Sequence, residues 1–460
     1  MSPPSDTEKW ESNPVGMLRV HQAHPYHLGQ CIADLVDNSY DAHATKIDVR
    51  IALTKEGRMY VLILDNGDGI PKDEWKKIMT LGLERKRGNT DLGVYGVGLK
   101  LSSLSQAHEV TVASVNNGDF GLRRLSANHI RSTGRNEVLK FPIPESQTYR
   151  EARQRMINEE WSTMVLLEDM HAEGRIVSLD STKEASFNKE ITKIRTHLGI
   201  TFDRVIKSEE RGHVEFKFQT KTLKPIDPFM VWENDSKFGT VSQPTVPIAF
   251  KSDNRNIAAK ATPYIIPHDK RSKDKGRRNL VNKGYYKAND MQGLYIYRNN
   301  RLIQYGGWSS LKGTKDEHVK LGKIRIDMPE GAEEIFGLSP TKTDIQLPME
   351  FLRKLRHYLD QPRQWGQINK GKQTSFFVAA EDRYRKEGKG APNRKKKSGK
   401  ESDSGLFNPD SKPKTKRKVK PNAGVVTDIR TVGDRTTVTI DNTADKAQDL
   451  MEEIRRWKGT

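Results

Sequence analysis

The sequence predicts an α+β fold, in which a mixed, mainly antiparallel sheet carries helices on one face and a smaller α/β domain follows. Three observations predict it. Short runs of alternating apolar residues are joined by hairpin-type turns. Segments of helical spacing interrupt these runs without a regular β-α-β order, which argues against a doubly wound parallel sheet. After about residue 380 the composition changes to a basic stretch with few large apolar side chains, so the folded part ends before it.

The first part of the chain combines one amphipathic helix with several strands. Residues 30–42 place Ile32, Leu35 and Val36 on one stripe, which predicts a helix. A second helix is predicted over 191–198. Strands are predicted where apolar residues alternate or cluster, over 46–53, 59–64, 109–115, 120–125 and 163–168. Turn residues between successive strands favour antiparallel pairing.

A second unit begins after the Pro-containing turn at residues 225–228. Its predicted elements are strands over 262–266, 293–297 and 323–328 and a closing helix over 348–359. We therefore expect four segments, which are a first domain (1–215), a smaller domain (216–362), a basic flexible linker (363–425) and a strand–helix appendage (426–460).

The charge of the chain is large and unevenly distributed. The 460 residues carry a formal net charge of +19, and residues 381–420 alone hold 15 Lys and Arg against 6 Asp and Glu. A basic, apolar-poor segment stays flexible and attracts polyanions. The sequence therefore predicts a nucleic-acid partner held by residues 381–420, with a solvated linker or a nuclear-localisation-like tract as the alternative.

Other classes are excluded by composition. No apolar run approaches the length of a membrane span, and residues 1–14 lack the apolar core of a secretory signal. The single cysteine, Cys31, excludes an internal disulfide. We expect a soluble protein with no membrane partner, cytoplasmic or nucleoid-associated, or nuclear if the host is a eukaryote.

Two glycine-rich motifs are candidates for chemistry. Asp65-Asn-Gly67-Asp-Gly69 follows a buried strand, so a carboxylate stands where the core meets a cavity and the glycines allow close approach of a ligand. Residues 92–102 form a glycine-rich loop that opens a helix, an arrangement that offers backbone N–H groups to phosphate. It is not a P-loop, because Gly98 is followed by Leu99 rather than by Lys-Ser or Lys-Thr.

The order of the motifs resembles the GHKL superfamily, which comprises gyrase B subunits, ninety-kilodalton heat-shock chaperones, sensor histidine kinases and MutL. Residues 34–42, Asp65-x-Gly-x-Gly, Gly96-x-Gly98-x-Lys100 and Ser162-Thr163 occur in register over roughly residues 15–205. The resemblance implies a Bergerat-type ATP-binding sandwich, with ATP and Mg²⁺ as its ligands.

The resemblance also implies a role for each motif residue. Asn38 corresponds to the Mg²⁺ ligand, and an amide oxygen suits that hard cation. Asp65 corresponds to the acceptor of the adenine amine, and Thr163 supports it. Gly67 and Gly69 let the backbone approach the base. The phosphates would be held by a last set of residues, which are Gly93, Gly96, Gly98 and Lys100.

Two further residues are expected to act on the γ-phosphate. Asp34 occupies the general-base position, where ATP-hydrolysing relatives usually carry Glu, so hydrolysis is expected to be slow. Residues 292–308 are similar to the transducer domain of MutL, MORC proteins and type II topoisomerases. In that domain Lys342 corresponds by position to a lysine that reaches the γ-phosphate and would stabilise its charge.

The leading functional hypothesis is an ATPase that closes as a homodimeric clamp on nucleic acid, in DNA maintenance or defence by analogy. Its alternatives are a chaperone-like ATPase and a topoisomerase B-like subunit that acts with a separate effector or nuclease chain. A histidine kinase ranks lower, because only about 30 residues precede the motif helix, which is the helix predicted over residues 30–42. No kinase or nuclease activity is expected from this chain alone.

Overall fold

The computed structural model describes most of the chain outside its two ends. The described residues are 13–23, 26–80, 92, 98–141, 143–171, 181–208, 213–232, 239–252, 254–271, 274, 278, 288–339, 345–388, 426–432 and 435–440.

The first sheet has eight strands in the order β5-β4-β3-β6-β2-β1-β7-β8. All neighbours are antiparallel except β1 and β7, which run parallel and pair Lys46 with Glu215. The strands are β1 (Lys46–Leu53), β2 (Met59–Asp65), β3 (Ala107–Asn116), β4 (Asp119–Ser126), β5 (Leu139–Lys140), β6 (Thr163–Met170), β7 (Glu215–Phe218) and β8 (Lys221–Thr222). Because β7 and β8 belong to this sheet, it continues past the boundary expected at residue 215.

Eight helices accompany this sheet in the described residues. They are α1 (Pro14–Ala23), α2 (Leu28–Asp41), α3 (Trp75–Met79), α4 (Gly98–Leu104), α5 (Ala127–Thr133), α6 (Gln147–Asn158), α7 (Ser181–Thr201) and α8 (Asp203–Lys207). The helix predicted over 30–42 is thus confirmed as α2, which buries Ile32, Leu35 and Val36 in the main core.

The α+β class is confirmed, but the helices do not all lie on one face. Along β2, Val61 and Ile63 enter the main core, whereas Leu62 and Leu64 enter a second cluster. Successive residues of a strand point to opposite faces. The second cluster includes residues of α6, so this helix covers the opposite face. The continuous apolar run of β2 reflects burial on both faces.

The second sheet has six strands, with the path β10-β11-β14-β12-β13 and β9 paired to β11. Only β12 and β14 are parallel neighbours. The strands are β9 (Val241–Ser242), β10 (Val246–Ser252), β11 (Arg255–Ile265), β12 (Gly293–Arg298), β13 (Arg301–Tyr305) and β14 (Gly322–Asp327). Short 3-10 turns occupy Ala288–Met291, Ser309–Leu311, Glu317–Val319 and Gly366–Ile368.

This sheet buries a lysine in its core. Lys323, in β14, has no exposed surface, and its Nζ donates to the Tyr295 hydroxyl at 2.9 Å. Desolvation lowers the pKa of Lys323 to about 7, although Asp227 opposes the shift.

Two helices complete the second core, and the second of them corrects an expectation. Helix α9 (Met349–Asp360) is the predicted closing helix. Residues 363–388, expected to belong to a flexible linker, instead form β15 (Arg363–Gln364), β16 (Gln373–Thr374) and α10 (Phe376–Gly388). Phe376, Ala379 and Ala380 are fully buried in the second core. Their helical spacing supplies an apolar face that the basic residues of the same segment obscured.

Residues 393–460 form a separate compact unit. Its described part is a hairpin of β17 (Val426–Val432) and β18 (Arg435–Ile440), which supplies the strand part of the strand–helix appendage expected over 426–460. The helix expected in this appendage and the basic residues 389–420 lie outside the described residues.

Within the residues that were described, no helix has both the length and the apolar character needed to cross a membrane.

Candidate active site

Asp65 ends β2 and is held by neighbours from the motif helix and its own turn. Its side chain is buried, with the Ser39 Oγ donating to Oδ2 at 2.8 Å and the Gly67 N–H donating to Oδ1 at 3.0 Å. Burial raises the pKa of Asp65 to about 6, and these two hydrogen bonds oppose the shift. The carboxylate is therefore an oriented acceptor that is mostly ionised at neutral pH.

The glycines of the turn are required by close backbone packing. A Cβ at Gly67 would lie 2.5 Å from the Ala42 carbonyl oxygen. Gly69 has φ = +74°, and a Cβ there would lie 2.1 Å from the Val115 carbonyl oxygen. Only glycine fits both positions, so the turn after Asp65 is pressed against α2 on one side and β3 on the other.

Thr163 lies beside this turn, and its support of Asp65 in nucleotide binding stays a prediction. It pairs with Asp65 across β2 and β6, and its Oγ1 shares a hydrogen bond of 3.0 Å with the Ser114 Oγ. The same Ser114 oxygen accepts from the Ile70 N–H at 2.9 Å. Ser114 thus links Thr163 to the end of the glycine turn, and no sequence motif pointed to it.

Asn38 is the exposed residue of the motif helix, and it directly precedes Ser39, which binds Asp65. Its amide oxygen is a hard donor of the kind that Mg²⁺ accepts. Among the described residues there is no group of three His, Cys, Asp or Glu side chains that could hold a metal. This donor set fits a cation that keeps most of its ligands as water and phosphate oxygens, so the chemistry of the site is compatible with Mg²⁺.

The glycine-rich segment is described only in part. Gly98 begins α4, and Lys100 is buried, with its Nζ donating to the carbonyl oxygens of Ile78 and Thr80 at 2.7 and 2.8 Å. Lys100 therefore fixes α4 to the end of α3, and its contact with phosphate stays a prediction. Gly93, Gly96 and Lys342 lie outside the described residues.

Asp34 lies in a buried charged cluster that joins the two sheets. Its Oδ2 accepts from the Tyr26 hydroxyl at 3.0 Å, and its Oδ1 accepts from Arg301 Nη2 at 3.2 Å. Arg301 Nε also donates to Asp37 Oδ1 at 2.7 Å. Arg301 begins β13 of the second sheet, so one guanidinium bridges two carboxylates of α2.

A second contact anchors the start of the glycine-rich segment. Asp41, at the end of α2, accepts from the Leu92 N–H at 2.6 Å. Arg298 Nη1, from β12, donates to the Leu92 carbonyl oxygen at 3.3 Å. Leu92 is thus held from both the motif helix and the second sheet.

The sequence reasoning missed the partners of the predicted residues. Tyr26, Ser114 and Arg301 each bind a motif residue, yet they lie outside the four motifs. Ser39 lies within the motif of residues 34–42, but no role was assigned to it there. Arg301 stands in the Tyr297–Ile303 segment that resembles a transducer strand, and that position was the one signal available for it.

Comparison with known proteins finds relatives of the part of the chain that contains Asp34, Asn38 and Asp65. Residues 26–159 match the family model described as histidine kinase-, DNA gyrase B- and HSP90-like ATPase. The chain is 32% identical to Protein MICRORCHIDIA 3 of Arabidopsis thaliana over 145 residues, which are 28% of this chain and 24% of that protein. It is 30% identical to ATPase MORC2B of Mus musculus over 123 residues, 25% of this chain and 12% of that protein.

A shorter match connects the chain with a bacterial protein. It is 50% identical over 54 residues to DNA mismatch repair protein MutL of Aliivibrio fischeri, covering 12% of this chain and 7% of that protein. The chain thus spans a quarter or less of the length of these three relatives. The GHKL resemblance, close to MORC and MutL proteins, is confirmed for residues 26–159, which carry three of the four motifs.

Proposed function

We propose that this chain, whose residues 26–159 match the histidine kinase-, gyrase B- and HSP90-like ATPase family, binds ATP with Mg²⁺ and hydrolyses it slowly. One observation carries the proposal: Asp65 presents a buried carboxylate that accepts two hydrogen bonds at the end of a core strand. It stands beside two glycines that no other residue could replace.

Asp65 would accept the hydrogen bond of the adenine amine. Its two existing donors, Ser39 and the Gly67 N–H, fix the direction of the carboxylate before the ligand arrives. An oriented anionic acceptor in a poorly solvated site binds a neutral N–H donor more strongly than one exposed to water. The glycine turn would then lie against the base plane.

The triphosphate would lie between α2 and the glycine-rich segment that ends in Gly98. Asn38 would hold Mg²⁺ through its exposed amide oxygen, and the ion would neutralise phosphate charge. The N–H groups of Gly93, Gly96 and Gly98 would donate hydrogen bonds to the phosphate oxygens. Lys342 would bring a cation from the second unit to the γ-phosphate.

Asp34 would act as the general base that accepts a proton from the attacking water. It stands one helical turn before Asn38 on α2, so the two side chains share a face of the helix. An aspartate reaches one methylene less far than a glutamate, which is the reason that we expect slow turnover.

The nucleotide cycle would drive pairing of two copies of this chain around nucleic acid, with a separate effector protein as a further partner. The net charge of +19 supports a polyanionic partner. The relatives also support a nucleic-acid partner, since one of them carries the name DNA mismatch repair protein. In the basic segment 381–420, the part that follows α10, residues 389–420, would hold phosphates without sequence readout.

The decisive experiment measures ATP hydrolysis with and without duplex DNA for the wild type and for Asp34→Asn. We expect measurable hydrolysis that the substitution lowers by about 100-fold or more, as for loss of a general base. ATP binding, measured by calorimetry, should persist in the variant. A wild-type rate in Asp34→Asn would remove Asp34 as the base, and absence of ATP binding by the wild type would refute the proposal.

The nucleic-acid part is tested by deleting residues 389–420 and leaving α10 intact. We expect DNA affinity at low salt to fall and the dependence of affinity on salt to weaken, because fewer counterions are released. A matched control replaces the same residues with a neutral linker of equal length. DNA binding that survives both changes would contradict the assignment of this segment.

A further inference from the structure

Arg301 is an unusual residue to find between two sheets. The residue is only 4% exposed, and its Cζ lies 5.9 Å from the centroid of the Phe202 ring. It binds Asp34 and Asp37, which are themselves buried. Burying one cation with two anions costs desolvation energy that apolar residues of similar volume would avoid. A purely structural contact here does not require these charges.

The arrangement of the cluster is directional. Arg301 Nη2 donates to Asp34 Oδ1, and the Tyr26 hydroxyl donates to Asp34 Oδ2, so a donor from outside α2 meets each carboxylate oxygen. Arg301 Nε binds Asp37, which keeps the plane of the guanidinium fixed along α2. Because two nitrogens of the planar guanidinium bind two carboxylates, Arg301 fixes the orientation of the Asp34 carboxylate. The single ammonium group of a lysine would not fix it.

The strands around Arg301 attach to the first unit at further points. Tyr297 donates from β12 to Asp203 Oδ1 at 3.2 Å, and Arg298 reaches the Leu92 carbonyl oxygen at 3.3 Å. The β12–β13 hairpin therefore holds the start of the glycine-rich segment and the carboxylate of Asp34 together. A shift of this hairpin would move both.

We propose that Arg301 is a positioning residue for hydrolysis: it orients Asp34 from the second sheet and makes the base competent only while the β12–β13 hairpin is docked on α2. This inference rests on the proposed function, because it assigns a partner to the base named there. It also adds a route by which the second unit controls turnover that is independent of Lys342.

The ionisable groups around Asp34 come from several elements. Tyr26 precedes α2, and Cys31 and Asp37 are on α2. Helix α4 and strand β2 also pack against α2, and they carry Lys100, which donates to backbone carbonyls, and Asp65. Helix α7 contributes His197, whose pKa is lowered to about 4 by desolvation first and then by Arg301. Arg301 is the cation that makes an ion pair with Asp34 in the described residues.

The test compares Arg301→Lys with Arg301→Gln in the full chain, using steady-state ATP hydrolysis from pH 5 to pH 9. Lysine keeps the charge and loses the fork, so kcat should fall about tenfold while KM stays within about twofold. Glutamine keeps a donor and loses the charge, so the acid limb of the kcat profile should also move up by about one pH unit. Because each variant retains a hydrogen-bond donor for Asp34, at least one should fold.

Arg155 provides the matched control. It is a largely buried arginine of the first unit that bridges Asp48 at 2.6 Å and Glu159 at 2.8 Å, on the opposite face of the sheet. Arg155→Lys and Arg155→Gln should lower the melting temperature about as much as the Arg301 variants and leave kcat and its pH profile unchanged.

The outcomes separate this inference from the proposed function. If Asp34→Asn abolishes hydrolysis but both Arg301 variants keep the wild-type kcat and acid limb, Arg301 is structural and the inference is overturned. If the wild type binds ATP without hydrolysing it, both the ATPase proposal and the inference fail. A lower kcat in Arg301→Lys with the profile shift confined to Arg301→Gln supports the positioning role.

Discussion

The two sheets each bury an ionisable side chain, and they place it differently. In the first sheet, Asp65 ends β2, where the strand meets a glycine turn, and two donors orient its carboxylate. In the second sheet, Lys323 lies within β14, with its Nζ 4.9 Å from the centroid of the Tyr295 ring and bonded to that residue's hydroxyl. Burial moves the pKa of both groups toward neutrality, upward for Asp65 and downward for Lys323.

Burial alone therefore does not mark a functional group. Asp65 stands at a strand end beside backbone that only glycine can form, so a ligand could approach it closely. Lys323 is the second residue of β14 and is fully enclosed against the second core, so its shifted pKa is a consequence of the fold. Perturbed pKa values indicate function only together with such geometry.

Replacing Asp65 with asparagine should weaken nucleotide binding strongly. We expect ATP affinity to fall by about ten- to a hundredfold, because a hydrogen bond to a charged acceptor contributes about 1.5–3 kcal/mol. Calorimetric titration with ATP and Mg²⁺ measures it.

Asp203→Asn is the matched control for that prediction. Asp203 is a buried acid whose pKa is raised to about 7, by desolvation first and then by Asp227, and it also accepts from a hydroxyl, that of Tyr297. It lies at the start of α8, away from the glycine turn. Equal loss of ATP affinity in both variants would contradict a specific role for Asp65.

Lys323→Met should change stability and leave ATP affinity unaltered. The folded-state pKa of Lys323 is about 7, below the unfolded value of about 10.4, so the folded chain binds fewer protons between these pH values. The free energy of unfolding therefore rises with pH across this window, by about 2 kcal/mol between pH 7 and pH 9. Urea denaturation should show this rise in the wild type, and the Lys323→Met variant should lack that component of it.

The smallest expected effect is the pH dependence of nucleotide binding. With a pKa of about 6, Asp65 is ionised at pH 7 and mostly protonated at pH 5, so the adenine amine loses its anionic acceptor as pH falls. ATP affinity should decrease about tenfold over this range through Asp65. Titration of the phosphates also contributes, so the measurement is the difference between wild type and Asp65→Asn, and parallel pH curves would refute the prediction.

Local pattern sufficed to predict most of the described elements, whereas the roles of the site residues follow from the resemblance of the motifs to the GHKL superfamily and stay predictions. Helix α2, the hairpins of the first sheet and the motif positions of Asp34, Asn38 and Asp65 are short-range features, set by periodicity and by glycines. The expected linker from residue 363 was wrong, because the apolar face of α10 is small and lies among charged residues.

The partners of the site could not be predicted in this way. Arg301 meets Asp34 across 267 positions of sequence, and Ser114 meets Thr163 across 49. Such contacts depend on how two sheets pack and on the register of β3 against β6. No local period encodes either, which is why the charged bridge between the sheets emerged only from the structure.

The parallel pairing of β1 with β7 has a consequence for biosynthesis. Residues 46–49 pair with residues 215–218, which are synthesised much later. The Gln219 side chain adds two hydrogen bonds to the Ile51 backbone, donating to its carbonyl oxygen at 2.6 Å and accepting from its N–H at 3.2 Å. While the chain emerges from the ribosome, that edge of the first sheet has no strand to pair with until β7 is translated. Unpaired strand edges are sites of aggregation in nascent chains. The interval between synthesis of β1 and synthesis of β7 is therefore the step at which a chaperone would help most.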